Sequence, residues 1–131
     1  AGNQQPWQFI VIDDQELLKG IAAVHPYASM LPKAGCGILI LGDLSREVHA
    51  GYWVQDCAAC AENMLLAVTE RNLGGVWLGV YPVEDRVTNI RKLFGLAESL
   101  VPFAVITIGH PASHPERADR YDASRVHWNG W

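Results

Sequence analysis

Residues Tyr52 to Asn72 constrain the fold most strongly. Val54, Cys57, Ala58, Ala61, Met64, Leu65 and Val68 recur at helical spacing, so the segment predicts one long helix. Ala59, Cys60, Leu66 and Ala67 make its other faces apolar as well. A helix that is apolar nearly all round is expected to be buried on all sides. The chain has 131 residues, the size of one domain. In so small a domain, this helix is expected to lie between a sheet and a second subunit. Gly74-Gly75 is expected to end it.

Shorter elements frame that helix. Gln8 to Asp13 is β-branched and aromatic, which predicts a strand. Asp14 caps a following helix whose stripe is Leu17, Leu18 and Ile21, ended before Pro26. Tyr27 to Lys33 is a loop or a single helical turn. Cys36 to Leu41 is a continuous apolar run and predicts a buried strand, followed by a polar loop from Leu44 to Gly51. Val76 to Val80 and Val101 to Ile108 predict two more strands. Between them, Glu84 to Phe94 predicts a helix that stops at Gly95. Gly109 to Asp122 is a loop, and the chain closes in an aromatic tail. Trp128 and Trp131 are expected to dock on a surface, since tails order only when tied down. The series predicts an α+β fold of α/β type, with helices flanking a mixed central sheet.

Composition narrows the function classes. A net charge of -4 argues against a generally basic nucleic-acid surface, so any anion site needs a local positive cluster. No run of about 18 apolar residues occurs, so no membrane span is expected. Three cysteines cannot all pair within one chain; that count, with no N-terminal signal pattern, predicts a reducing compartment, the cytoplasm. The chain opens at Ala1-Gly2-Asn3 rather than at Met, and a preceding N-terminal segment is expected.

Two segments suit a flat polar ligand. In Gly2 to Phe9 (GNQQPWQF), Asn3, Gln4 and Gln5 offer amide donors and acceptors, and Pro6 and Trp7 fix the entry to the strand. The same residues are also compatible with an ordinary polar loop. In Val76 to Pro82 (VWLGVYP), Gly79 lacks a Cβ, so its backbone can approach a ring closely, or simply permits a turn. Arg117 and Arg120, with Arg125 nearby, carry forks that match phosphate oxygens, while Glu116, Asp119 and Asp122 offer them surface pairing instead. Cys57 and Cys60 form a C-x-x-C inside a helix, where they read as small core residues. Pro111 and Pro115 break any helical pairing of His110 with His114, so no metal site is expected.

The ordered segments GNQQPWQFIVI, HPYASMLPKA, YWVQDCAACAENMLLAVTERNLGGVWLGVYP, VPFAVITIGHP and DRYDASRVHWNGW resemble the nitroreductase family of flavoproteins, over essentially the whole chain. That resemblance implies one nitroreductase-like domain over residues 1–131, lacking an N-terminal helix segment, in an intertwined homodimer with FMN at the subunit interface. It implies an FMN-dependent oxidoreductase that passes a hydride from NADH or NADPH through flavin N5, by a ping-pong route, to a nitroaromatic, a quinone or a related small-molecule acceptor. The alternative is a non-catalytic member of the same fold that binds flavin or only dimerises. By position, Asn3 and Gln5 match loop amides that meet the flavin. Leu78 and Gly79 match the backbone beside its reactive edge, and Arg117 and Arg120 match basic residues near the phosphate. The family's Lys before that Arg is replaced here by Ala118. The Arg-rich segment and Pro-Ser that precede the loop in the family are expected to lie before Ala1. No side-chain acid or base is indicated.

Overall fold

The computed structural model describes every residue except Pro115 and Arg117. Four strands and three α-helices follow in the order β1 (Trp7–Ile12), α1 (Gln15–Val24), β2 (Cys36–Asp43), α2 (Tyr52–Glu70), β3 (Gly74–Gly79), α3 (Glu84–Phe94) and β4 (Leu100–Gly109). Single 3-10 turns occupy Leu31–Lys33, Leu44–Arg46 and Ala123–Arg125. The expected layered α+β architecture is therefore present. The sheet order is β1-β2-β4-β3. Each pairing is antiparallel, whereas the sequence led us to expect mixed strand directions. The cause is visible at β1 and β2, where Ile12 pairs with Gly37. Helix α1 and the segment after it form an excursion that returns the chain to the sheet end it left.

Each face of the sheet carries its own core. On one side Leu18, Ile21 and Ile90 of α1 and α3 pack on Leu39, Leu41, Leu78 and Val105. On the other, Trp53, Cys57 and Ala61 of α2 pack on Ile40, Phe103, Ala104 and Ile106. Side chains alternate across a strand, so β2 and β4 feed both cores. This is why their sequences are apolar without interruption.

Helix α2 is covered on one face only. Trp53, Cys57, Ala61 and Val68 are buried, while Ala59, Leu66 and Ala67 are exposed, Leu66 to 60%. Burial on all sides is thus not achieved within a single chain. The helix also stops differently from expectation. Asn72 takes a left-handed φ of 55°. Leu73 N–H then donates to Val68 carbonyl (3.1 Å) and Asn72 N–H to Thr69 carbonyl (3.0 Å). These two bonds close a Schellman motif, with Asn in place of the usual Gly. Gly74 and Gly75 are released to begin β3, where Gly75 lies close against Leu65 and Val68 of α2.

Strand β4 carries a bulge. Ile40 pairs with Ala104 but Leu41 pairs with Pro102, leaving Phe103 as the extra residue. Pro102 has no N–H to donate, and a bulge is a place where a strand tolerates that loss. The Phe103 carbonyl accepts from both Val80 N–H and Tyr81 N–H at 3.0 Å. The bulge therefore fixes the chain as it leaves β3.

Candidate functional site

Sheet register brings two of the anticipated segments to the same end of the molecule. Trp7 at the start of β1 pairs with Gly42 near the end of β2. Gly42 pairs with Val101 near the start of β4, and Gly79 at the end of β3 pairs with Ala104. The loop holding Asn3 and Gln5 thus emerges at the end of the sheet where β3 delivers Leu78 and Gly79. They sit on opposite edges, three strand spacings or roughly 14 Å apart.

The N-terminal loop is held in an uncommon conformation. Gly2, Asn3 and Gln5 have φ values of 55°, 54° and 49°. Left-handed backbone is rare outside Gly and Asn, so Gln5 in particular must be held there by its surroundings. Gln5 Nε2 donates to Asn3 Oδ1 at 2.7 Å, which leaves the Asn3 amide NH2 and the Gln5 carbonyl to meet another group. Both residues are exposed. Gln4 ties the loop down, because its Oε1 accepts from Val48 N–H (2.5 Å) and His49 N–H (2.6 Å). The His49 ring also closes over Gly2, where an added Cβ would come within 2.9 Å of it.

The opposite edge is built differently. Leu78 is 3% exposed and its side chain belongs to the core, so only its backbone can face a ligand. A Cβ added at Gly79 would meet nothing within 4 Å. Val80 N–H points to β4, so by strand alternation the N–H and C=O of Gly79 both face away from β4, along the open edge. The Gly79 carbonyl is taken up from two sides. His25 Nε2 lies 2.9 Å from it and Arg86 Nη1 donates to it at 2.9 Å. Tyr27 N–H donates to His25 Nδ1 at 3.3 Å, which makes Nδ1 the acceptor and Nε2 the protonated nitrogen that donates to Gly79. His25 is only 2% exposed. The Arg86 guanidinium in turn sits 5.5 Å from the centre of the Tyr27 ring, a cation–π distance.

Trp53 joins the two edges. Its ring fills the space over Gly42, where a Cβ would collide with it. It also meets Tyr81, just beyond Gly79, edge-on at 4.8 Å between ring centres. Asp43 N–H donates to Pro6 carbonyl at 2.7 Å, so the base of the loop is bonded to the strand residue beside Gly42.

The remaining anticipated residues are not drawn into this cluster. Arg117 lies outside the described residues. Arg120 is exposed, and no hydrogen bond or ion pair among the described residues links it to Asn3, Gln5, Leu78 or Gly79. Its neighbour Arg125 is paired with Asp122 at 3.0 Å. Hydrogen bonds from Ser124 hold the Asp122 carboxyl below the usual range. His110 and His114 are exposed, and no group of potential metal ligands forms among the described residues. Both histidines line a cleft of about 750 Å³ with Lys33, Thr69 and Asn72, at the far end of the sheet from Gly79. Cys57 is buried, donates to Leu41 carbonyl at 3.8 Å, and has its thiol pushed up to about 12, first by burial and then by the nearby Cys60 and Asp56. Such a thiol is a core residue rather than a nucleophile.

Sequence reasoning missed His25, Arg86 and the Phe103 carbonyl. Nothing in the spacing of His25 or Arg86 points to Gly79, 54 and seven residues away respectively. The one signal available was Pro102 inside an apolar strand, which demands a bulge or an edge.

Comparison with known proteins places these features in a family. The model of the nitroreductase family matches residues 22–110. A protein of Methanothermobacter thermautotrophicus provisionally named an NADH dehydrogenase/NAD(P)H nitroreductase is 45% identical over all of this chain, which spans 69% of that relative. A similarly named protein of Archaeoglobus fulgidus is 42% identical and is spanned to 78%. The crystal structure of a provisionally named NADH oxidase from Clostridium acetobutylicum superposes with a TM-score of 0.95 at 41% identity, over 99% of this chain and 79% of that one. No helix among the described residues is long and apolar enough to cross a membrane. A family match across most of the chain, with relatives of this identity and the same strand and helix frame, establishes that the chain belongs to the nitroreductase family of oxidoreductases.

Proposed function

We propose that the chain is one FMN-binding domain of an NAD(P)H-dependent oxidoreductase, in which the flavin would be held at this end of the sheet between the Leu78–Gly79 backbone of one edge and Asn3 and Gln5 of the other. The observation that carries this reading is the open face at Gly79. A ring can approach a backbone that bears no side chain there, beside an N–H directed along the same edge. The residues present fit the polar rim of such a ring, since Asn3 retains a donor and Gln5 an acceptor after their mutual bond. The phosphate would be met by Arg120 and Arg117, whose side chains match its oxygens in charge and fork geometry.

When bound, FMN supplies the two-electron chemistry between NADH or NADPH and an acceptor such as a quinone or nitroaromatic. The chain's own tasks are binding and orientation. The Gly79 N–H offers a fixed dipole to an electron-rich ring edge. The Asn3–Gln5 pair would offer its remaining donor and acceptor to the ring's polar rim. Leu78 keeps the strand anchored in the core while its backbone faces the ligand.

A homodimer belongs to this reading. The outer face of α2 exposes Ala59, Leu66 and Ala67, and the tail exposes Trp128 and Trp131. A second copy would cover both, and would enclose an edge that in one chain is open. Titration with FMN, followed by flavin fluorescence, tests the binding. Steady-state oxidation of NADH and NADPH with menadione or a nitroaromatic tests the activity. A protein that stays colourless after incubation with FMN sinks the proposal. One that binds FMN without turnover is a flavin-binding relative instead.

A further inference from the structure

We infer that His25 and Arg86 are positioning residues for the flavin, acting through the Gly79 carbonyl. The inference rests on the proposed FMN site at Gly79. Glycine is the residue least able to hold its own backbone direction, because no Cβ restricts it. Yet the Gly79 N–H can serve a ligand only if it keeps one direction. The structure supplies the restraint from outside. Val80 N–H is bonded to Phe103 carbonyl at 3.0 Å, which holds one side of the peptide that follows Gly79. The other side, the Gly79 carbonyl, is held by His25 Nε2 and Arg86 Nη1, both at 2.9 Å. The peptide before Gly79, which carries the Gly79 N–H, is placed by Leu78, paired with Val105 in the sheet and buried in the core. With the peptide after Gly79 held as well, the torsions of Gly79 are restrained from both sides, and its N–H keeps its direction.

The two donors come from separate elements. His25 follows α1 and Arg86 lies in the first turn of α3. Each is itself restrained, His25 by burial and by Tyr27 N–H, and Arg86 by the Tyr27 ring. Tyr27 therefore braces both donors. A charge-assisted bond from a guanidinium is a strong restraint on a carbonyl, and a buried imidazole with one fixed tautomer is a precise one. Neither side chain has to touch the flavin to set the geometry that the flavin meets.

The test uses the full chain loaded with FMN, and three variants. R86M keeps the aliphatic stem and removes the donors; R86K returns a single donor; H25Q keeps an amide donor in place of Nε2. Thermal unfolding without FMN is the control for folding. For R86M we expect FMN affinity to fall roughly tenfold through lost preorganisation. The midpoint potential of the bound flavin should become more negative, because a wandering N–H stabilises the electron-rich reduced ring less well. R86K should recover most of both losses, which a purely structural role would not predict for the potential. H25Q should shift both in the same direction as R86M and by less. Should H25Q fail to fold, the arginine pair still decides the question. An R86M protein with wild-type affinity and wild-type potential overturns the inference and leaves the FMN site standing. A wild-type protein that takes up no FMN overturns the site itself, and this inference with it.

Discussion

The two edges of the candidate site are held by different means. At the end of β3, the Gly79 peptide is fixed by a buried histidine, a half-buried arginine and a bulge in the central strand. At the N-terminal loop, Asn3 and Gln5 are exposed, and the fastening is Gln4 on the exposed segment Val48–His49. One edge is thus part of the core, and the other is tied to a surface loop. The difference suggests a division of labour in which the rigid edge sets the reacting geometry. The looser edge can change with the 44–51 segment without disturbing the core.

The strongest way to break this comparison is Gly79→Val. The space over Gly79 is empty, so the variant should fold with little change in thermal midpoint. If the rigid edge seats the ring, FMN affinity should still fall by about a hundredfold or more, since the new side chain occupies the approach. Unchanged affinity in a fluorescence titration would place the flavin elsewhere.

Gly42→Ala tests the link between the edges. Its Cβ would collide with the Trp53 ring, so the ring must shift from Gly42 and its packing on Tyr81 must change. Overpacking of this kind should cost about 2 kcal/mol in urea unfolding. FMN binding should weaken along with it. A variant as stable as the parent would show that Trp53 is not a tight joint.

Gln4→Leu should loosen only the surface edge. It removes the acceptor for Val48 and His49 N–H, a loss of about 1 kcal/mol that should appear as faster amide exchange over 44–51. Exchange at Val80 and Tyr81 should stay as it was. Spread of the effect to those two residues would mean that the edges are coupled.

A further effect concerns the core beneath. Cys57 holds its proton up to about 12 in the fold, against 9.0 for an ordinary thiol. From pH 9 upward the unfolded chain releases that proton while the folded chain keeps it. Stability should therefore decline as pH rises through this window, and be unaffected by this thiol below it. Cys57→Ala should flatten that decline in chemical denaturation between pH 9 and 10.5. An equal slope in both proteins would show that the thiol is easily ionised in place.

Much of the local structure was legible in the residues. Asp14 caps α1 as its chemistry dictates, with Oδ1 accepting from Glu16 and Leu17 N–H. The helix at Glu84–Phe94 has the bounds its pattern predicts, ending at Gly95 with φ 59°. Gly74-Gly75 was read wrongly as a helix stop, because Asn72 takes the left-handed position instead. Either residue type can do so, and local sequence does not say which one will. The family resemblance pointed to Asn3, Gln5, Leu78 and Gly79. Sheet register then put the two pairs at one end of the molecule, while Arg120 stands apart from them.

The sequence by itself determined the elements, the two apolar faces of β2 and β4, and the glycine without a side chain at position 79. Those follow from side-chain shape and periodicity, which act over a few residues. Only the tertiary structure decided the antiparallel order of the strands and the exposure of one face of α2. It alone decided that His25 and Arg86 meet at the Gly79 carbonyl. Such contacts depend on how distant segments pack, and the spacing of residues along the chain carries no record of them.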